Sequence, residues 1–162
     1  RDRICIYEAL FDLIKNAIRE MPKLVRANLT IGGNTMFDYA GFIKAVLQQD
    51  GTEIHSYFAD DAVINWHCTN ECFTVDEYII ANCEYPGKWD GEIETVHQID
   101  NLFVVITKVY PKDRSASFHC VSFIRCLNGK IATLDEYWAD DGEPPKWRRE
   151  MKIGKPITEV RI

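Results

Sequence analysis

The stretch Ser115–Ala139, SASFHCVSFIRCLNGKIATLDEYWA, decides the fold. Two alternating, β-prone runs flank Asn128-Gly129, and Asn-Gly favours a tight hairpin because both of its residues accept positive φ. A two-residue turn here predicts strands over 115–126 and 130–139, and it fixes their register. Side chains alternate between the faces of a strand, so the paired residues share one face. The predicted pairs are Phe123 with Leu134, Val121 with Glu136, and His119 with Trp138.

The preceding residues extend this hairpin into a four-stranded meander. Strands are predicted over 93–99 and 102–110, with turns at Asp100-Asn101 and over 111–114. Upstream, the spacing of apolar residues predicts an amphipathic helix over 37–49, a short helix from Thr52 to about Phe58, and a strand over 62–67. Thr74 followed by Glu77 is a capping-box pattern and predicts a helix over 75–83. Helices followed by an antiparallel sheet indicate an α+β fold.

Residues 1–35 are interpreted as an N-terminal helical extension and linker. Apolar residues at helical spacing predict a helix over 4–21, Pro22 follows it, and Gly32-Gly33-Asn34 lies in the linker. The sequence does not decide whether this helix packs on the domain or on a partner chain. The predicted domain spans 36–150, and residues 151–162 form a C-terminal tail.

Composition excludes several classes of protein. The chain has 162 residues, is 46% hydrophobic and 27% charged, and carries a formal net charge of −6. No stretch is long and apolar enough for a membrane helix, and no basic patch interleaved with aromatics indicates nucleic acid. His67, Cys68 and Cys72 form a run without a second ligand cluster, whereas zinc needs about four ligands. We therefore expect no metal, reduced cysteines and a cytoplasmic protein.

These elements resemble the nuclear transport factor 2-like superfamily, and most closely its bacterial SnoaL-like members. The resemblance covers about residues 36–148, from two helices and the strand "YFADDAVINW" to a meander ending "NGKIATLDEYWADDGEPPKW". Its most telling pieces are Phe58-Ala59-Asp60-Asp61-Ala62 and Gly129-Lys130-Ile131 with Glu136-Tyr137. The resemblance implies a cone, in which a curved antiparallel sheet wraps around about three helices and leaves an apolar cavity open at one end.

The resemblance implies a range of activities rather than one. Members include steroid isomerases, dehydratases, epoxide hydrolases, polyketide cyclases and proteins without catalysis. Placed on the steroid isomerase pattern, the phenol position falls on Phe42, the basic aspartate on Trp66, and the acidic donor on Val121. That catalytic constellation is therefore absent from this chain.

His119 and Glu136 are the candidate catalytic residues. An imidazole near a carboxylate in apolar surroundings has the chemistry of a general acid or base near neutral pH. The alternative is a buried hydrogen-bonded pair that only stabilises the sheet. His67 should face away from Trp66, and His97 shares the His119 face only if Asp100-Asn101 is a two-residue turn.

The predicted ligand-binding residues are mostly aromatic or aliphatic, and each has the alternative role of an ordinary core side chain. They are Phe42, Trp66, Tyr78, Trp89, Val121, Phe123, Leu134 and Trp138. Trp89 and Tyr85 are expected near the cavity mouth. No nucleotide-binding glycine loop or Ser-His-Asp order is present, so no cofactor is implied.

The sequence leaves two functions open. The first is a protein that binds an apolar, cyclic or aromatic small molecule, or a cofactor-independent isomerase, dehydratase, hydratase or cyclase. The second is a non-catalytic interaction domain whose pocket is filled by side chains. A homodimer through the outer sheet face suits both, because an apolar face would otherwise be exposed. The residues expected on that face are Phe118, Cys120, Ile124 and Tyr137.

Overall fold

The computed structural model describes residues 37–159, and the predicted extension over 1–35 lies outside them. The helices are α1 (Tyr39–Gln48), α2 (Gly51–Tyr57), α3 (Val75–Cys83) and α4 (Lys146–Glu150), with a 3-10 turn at Ile157–Glu159. The strands are β1 (Phe58–Trp66), β2 (Glu71–Phe73), β3 (Trp89–Ile99), β4 (Leu102–Pro111), β5 (Phe118–Leu127) and β6 (Lys130–Asp140). No helix within 37–159 is long and apolar enough to span a bilayer.

The six strands form one sheet in the order β2-β1-β6-β5-β4-β3. The predicted α+β class and the antiparallel meander β3–β6 are confirmed. The sheet is mixed rather than wholly antiparallel, because β1 pairs in parallel with β6. Alternation along one strand does not reveal its distant partner, so this pairing and the three-residue β2 were not predicted.

Side-chain caps set the helix boundaries. Asp38 accepts a hydrogen bond from the backbone N–H of Gly41 and begins α1. Asp50 caps α2 by accepting from the N–H of Glu53, so this helix begins one residue before the predicted start at Thr52. An Asp at this position satisfies an N–H that has no partner inside the helix. The predicted capping box is confirmed, with Thr74 and Glu77 bonded reciprocally at the start of α3.

The core lies between the inner face of the sheet and helices α1–α3. Its fully buried aromatic and aliphatic side chains are Phe42, Ile54, Ile64, Tyr78, Val105, Ile124, Ile131 and Leu134. Rings meet edge to face, as where Phe58 contacts Phe42 and Tyr78 at centroid distances of 5.6 Å. Such contacts add to the apolar burial that stabilises the domain.

A β-bulge changes the predicted register of the last hairpin. Asn128 and Gly129 take φ of 52° and 78°, as the predicted turn requires. Leu127 pairs with Lys130 and Cys126 with Ile131, but Arg125 then pairs with Thr133. Ala132 is therefore an extra residue in β6. Beyond it, each side chain of β6 lies on the face of the sheet opposite to that of its predicted partner on β5.

The predicted cross-strand pairs beyond the bulge are consequently wrong. The observed partners are Ile124 with Leu134, Ser122 with Glu136, and Cys120 with Trp138. These six side chains face the helices. His119, Val121 and Phe123 instead share the outer face with Asp135 and Tyr137. Of the residues expected on the outer face, only Tyr137 lies there, since Phe118, Cys120 and Ile124 face inward.

His119 joins three segments on the outer face. Its Nδ1 bonds a carboxylate oxygen of Asp141, just after β6, and its Nε2 lies 3.3 Å from Glu94 Oε2 on β3. The hydrogen bond to Asp141, aided by Glu94, raises the pKa of His119 despite some desolvation. Ser117 donates a hydrogen bond to Asp141, and Lys108 pairs with His119 across β4 and β5. The cluster therefore stabilises the sheet when His119 is charged.

We expect His119→Gln to destabilise the protein more at pH 6 than at pH 9. A His whose pKa is raised by folding stabilises fully below its unfolded pKa, about 6.5. That contribution is lost as the pH rises through the higher folded pKa. Urea unfolding of both proteins at the two pH values measures the difference. If the difference in unfolding free energy between the wild type and the variant were the same at both pH values, His119 would not contribute through its charge.

Candidate functional site

A cavity of about 400 Å³ lies between the inner face of the sheet and helices α1 and α3. Ile43, Val46 and Leu47 of α1 and Ala81 of α3 form its helical side. The amphipathic spacing of α1 places these apolar side chains toward the sheet. Strands β1, β4, β5 and β6 form the opposite side, so the elements that build the core also build the cavity.

Strand register arranges the sheet side of the cavity in three rows. The deepest row borders the packed core and contains Trp66, Glu136 and Ser122. The next contains Trp138, Cys120 and Thr107, and the outermost contains Asp140, Phe118 and Val109. Successive inward residues on a strand are about 6.5 Å apart. Glu136 is thus at the floor of the cavity and Asp140 at its rim.

Glu136 is a buried carboxyl group, 3% exposed, with three hydrogen-bond donors around it. The indole of Trp66 donates to Oε2 at 2.7 Å, and that of Trp138 reaches the same oxygen at 3.4 Å. Ser122 Oγ donates to Oε1 at 3.0 Å. Burial raises the pKa of Glu136, and the three donors partly offset this by favouring the ionised form. Such a carboxyl group keeps its proton to a higher pH than an exposed one does.

Two further polar side chains lie one row above Glu136. Thr107 is 2% exposed, and its Oγ1 has no hydrogen-bond partner among the described residues. Cys120 Sγ lies 3.4 Å from Ser122 Oγ, and burial raises the pKa of its thiol far above the ordinary value. A buried hydroxyl without a partner is unfavourable. Thr107 is therefore the wall residue with an unmet capacity to bond a ligand.

The mouth of the cavity is aromatic. Trp89 at the start of β3 contacts Tyr85 and Phe118 at centroid distances of 5.5 and 6.0 Å. Gln49 ends α1 with its backbone in the left-handed conformation, and its side-chain amide donates hydrogen bonds to the carbonyls of Asn82 and Tyr85. This side chain ties the end of α1 to the segment that carries the aromatic rim.

The structure brings together only some of the residues predicted for the site. Trp66, Trp89, Trp138 and Glu136 line the cavity. Phe42, Tyr78 and Leu134 are fully buried in the core and do not line it. Val121 and Phe123 lie on the outer face because of the bulge at Ala132.

His119 and Glu136 lie on opposite faces of the sheet, so the predicted contact between them is wrong. The two other histidines singled out in the sequence are also outside the cavity. His67 stacks on Tyr137 at 4.4 Å and bonds Asp135, which agrees with its expected facing away from Trp66. His97 pairs with Val104, and Ile99 with Leu102, so the two-residue turn and the face shared with His119 are confirmed.

Sequence reasoning missed Ser122, Cys120 and Thr107 as cavity residues. Ser122 and Cys120 were assigned to the other face by a register that omitted the bulge. Thr107 interrupts an otherwise apolar inward row, Phe103, Val105 and Val109, on β4. A hydroxyl at a core-facing position of a strand was the signal that could have identified it.

Comparison with known proteins gives matches among solved structures alone. No family model matches the chain, and no curated protein matches it. A provisionally assigned ketosteroid isomerase from Kribbella flavida matches with a TM-score of 0.62 and 20% identity, covering 75% of this chain and 90% of that one. A nuclear transport factor 2-like protein of unknown function from Burkholderia xenovorans matches at 0.59 and 20% identity, covering 72% and 91%.

A provisionally assigned SnoaL-like polyketide cyclase from Shewanella denitrificans matches with a TM-score of 0.52 and 14% identity, covering 62% of this chain and 86% of that one. Identities this low establish shared architecture and leave activity open. The matches agree with the mixed, curled sheet packed on three helices described above. The chain therefore has the cone fold of the nuclear transport factor 2-like superfamily.

Proposed function

We propose that this protein binds a small apolar ligand, cyclic or aromatic, in the cavity, and that Glu136 handles a proton at its floor. One observation carries the proposal: a buried, hydrogen-bonded carboxyl group forms the floor of a cavity of about 400 Å³ whose walls are mainly apolar and aromatic. Ligand sites commonly combine such walls with a few convergent polar groups. A residue with a perturbed pKa in such a pocket is a candidate for acid–base work.

The open cavity favours ligand binding over a pocket filled by side chains. Trp66 and Trp138 are two of the largest side chains on its walls, and their indole N–H groups are held on Glu136. Both rings therefore form walls around free space. Planar rings suit a planar or cyclic ligand, because stacked and edge contacts bury much of its surface.

Glu136 has the geometry for proton transfer to or from such a ligand. A carboxylate offers about four acceptor positions, and Trp66, Trp138 and Ser122 occupy three. The remaining position, which the thiol of Cys120 also approaches, is the one we assign to a ligand atom. Isomerisation, dehydration, hydration and ring closure each need a positioned proton donor or acceptor. A catalytic role for His119 remains a prediction of the sequence, and the mechanism proposed here uses Glu136 without it.

Filling the cavity should abolish binding of an apolar probe. The neutral dye N-phenyl-1-naphthylamine fluoresces in apolar sites, and Ala81→Phe projects a ring into the cavity from α3. We expect the dye's Kd to rise at least tenfold in this variant. The matched control is Ile80→Phe on the same helix, where the side chain is 60% exposed. Equal losses in both variants, or none in either, would contradict binding in the cavity.

Replacing Glu136 should change how stability depends on pH. Folding raises the pKa of Glu136 through burial, so the wild-type protein loses stability as the pH rises from the unfolded pKa, near 4.5, through the folded pKa. Glu136→Gln lacks this loss. We expect the unfolding free energy of the variant minus that of the wild type to rise across that pH window and then to become constant. The rise should not exceed about 1.4 kcal/mol per pH unit, the limit for one proton. Urea unfolding from pH 4 to pH 8 measures it, and a flat difference rules out a raised pKa.

A second copy of the chain is the proposed occupant of the outer sheet face. Val104, Ile106 and Val121 lie side by side there, next to Phe123 and Tyr137, which are 37% and 44% exposed. Charged residues of both signs border this patch, with Glu94 and Lys108 toward one end and Arg125 and Asp135 toward the other. A patch bordered by both signs can complement its own copy about a two-fold axis.

A charge placed in the centre of this patch should separate the protomers. We expect the wild-type protein to be dimeric by light scattering coupled to size exclusion, and Phe123→Asp to be monomeric with an unchanged circular dichroism spectrum. Leu127→Asp is the control, because Leu127 is 55% exposed at the end of β5, beyond the patch. A monomeric wild-type protein would exclude the dimer.

A further inference from the structure

We propose that the cavity selects an organic cation, an amine or ammonium group carried on an apolar body. This inference rests on the proposed function, in that it names the chemical class of the ligand for the same site. It comes from the charges of the wall, the unmet hydrogen-bonding capacity at the floor, and the aromatic side chains around both.

The charges that line the cavity are of one sign. Glu136 lies at the floor and Asp140 at the rim, and no Lys, Arg or His is among the described residues that line it. Lys108 and His119, each of which lies between two lining residues of its strand, project from the outer face of β4 and β5. A one-signed cleft with low-dielectric walls concentrates ions of the opposite sign. An anionic ligand would meet repulsion from each carboxyl group in its ionised form, and no basic partner among the described lining residues would compensate for it.

Glu136 lacks the partner that a buried carboxylate ordinarily has. Buried charges in proteins are usually paired, because removing an unpaired charge from water is unfavourable. Among residues 37–159 no basic side chain forms a salt bridge with Glu136, and its three donors are neutral. A ligand ammonium group at the remaining acceptor position would supply the missing positive charge.

The aromatic walls provide a second attraction for a cation. Five aromatic side chains line the cavity: Trp66, Tyr85, Trp89, Phe118 and Trp138. The faces of aromatic rings attract cations, most strongly for Trp, and the attraction grows where water is excluded. An apolar neutral ligand would also pack against these rings, so aromatic walls alone do not separate the two classes. The aromatic walls together with Glu136, and without a basic side chain among the described lining residues, favour a cation over a neutral ligand.

Thr107 adds an acceptor between the floor and the rim. Its buried Oγ1 has no partner among the described side chains and faces the same space as Glu136. A hydroxyl oxygen accepts a hydrogen bond from an ammonium N–H as readily as from water. The two unfilled polar positions of the wall, on Glu136 and Thr107, thus both suit a ligand that donates.

Matched probes test the charge preference directly. Phenyltrimethylammonium and tert-butylbenzene have nearly the same shape and neither carries an N–H donor, so they differ only in one positive charge and test the charge apart from hydrogen bonding. The third probe, 4-tert-butylbenzoate, adds a negative charge instead. Each competes with N-phenyl-1-naphthylamine for the wild-type protein. We expect the ammonium probe to displace the dye at a concentration at least tenfold lower than tert-butylbenzene does, and the benzoate to be the weakest of the three.

The Glu136→Gln variant identifies the source of the preference. We expect it to reduce the advantage of the ammonium probe over tert-butylbenzene to less than threefold. Asp140→Asn, at the rim, should retain most of the advantage. Circular dichroism and dye binding confirm that both variants are folded.

The outcomes separate this inference from the proposed function. If the dye binds in a way that Ala81→Phe abolishes, but tert-butylbenzene or the benzoate competes as well as the ammonium probe, the cation preference is wrong and the ligand cavity stands. An advantage that survives unchanged in Glu136→Gln also overturns the inference. If the dye does not bind the wild-type cavity, the proposed function itself fails.

Discussion

One extra residue in β6, Ala132, determines which chemistry the last hairpin presents to each side of the sheet. Past this bulge, Glu136 and Trp138 turn toward the helices together with Ser122 and Cys120 on β5. His119 and Phe123 turn outward. The cavity floor, the histidine cluster and the apolar outer patch all follow from this register, because side chains on a strand can only alternate.

The inward carboxyl group is maintained at some expense of stability. An apolar residue of similar size at Glu136 would remove the desolvation of a charge, yet the surroundings are built to hold a carboxyl group in place. Two indoles and one hydroxyl converge on it from β1, β5 and β6. Unfavourable groups that are so closely positioned are typical of functional sites, where the rest of the fold supplies the compensating stability. The edge-to-face aromatic contacts around Phe58 and Tyr78 contribute to the stability of this core.

Local sequence signals predicted much of the fold. The capping box at Thr74, the turn at Asn128-Gly129 and the meander were each visible because a few neighbouring residues determine them. The bulge was not visible, since Ala132 has no special backbone preference and its neighbours continue the strand pattern. The parallel pairing of β1 with β6 was likewise invisible, because it depends on contacts between distant segments.

The site was less predictable than the fold for the same reason. Trp66, Trp138, Trp89 and Glu136 were identified by residue type and a strand pattern, and they do line the cavity. His119 was grouped with them only through a register that was one residue out. The sequence does not identify Thr107 as a site residue, because threonine is common in strands. The structure identifies it, because its buried hydroxyl oxygen has no hydrogen-bond partner among the described residues.

The parallel pairing of β1 with β6 also bears on the order in which the protein is built. The hydrogen bond from Trp66 to Glu136 joins residues 70 positions apart in the chain. Contacts of such long sequence separation close large loops, and the entropy lost in closing them slows folding. During synthesis, Trp66 and the helices before it leave the ribosome well before β6 is made. Until then, the indole of Trp66 and the apolar face of β1 lack their partners on β6. The floor of the cavity therefore cannot be completed until β6 has been made, and a chain cut short before β6 leaves the apolar face of β1 without its partner strand.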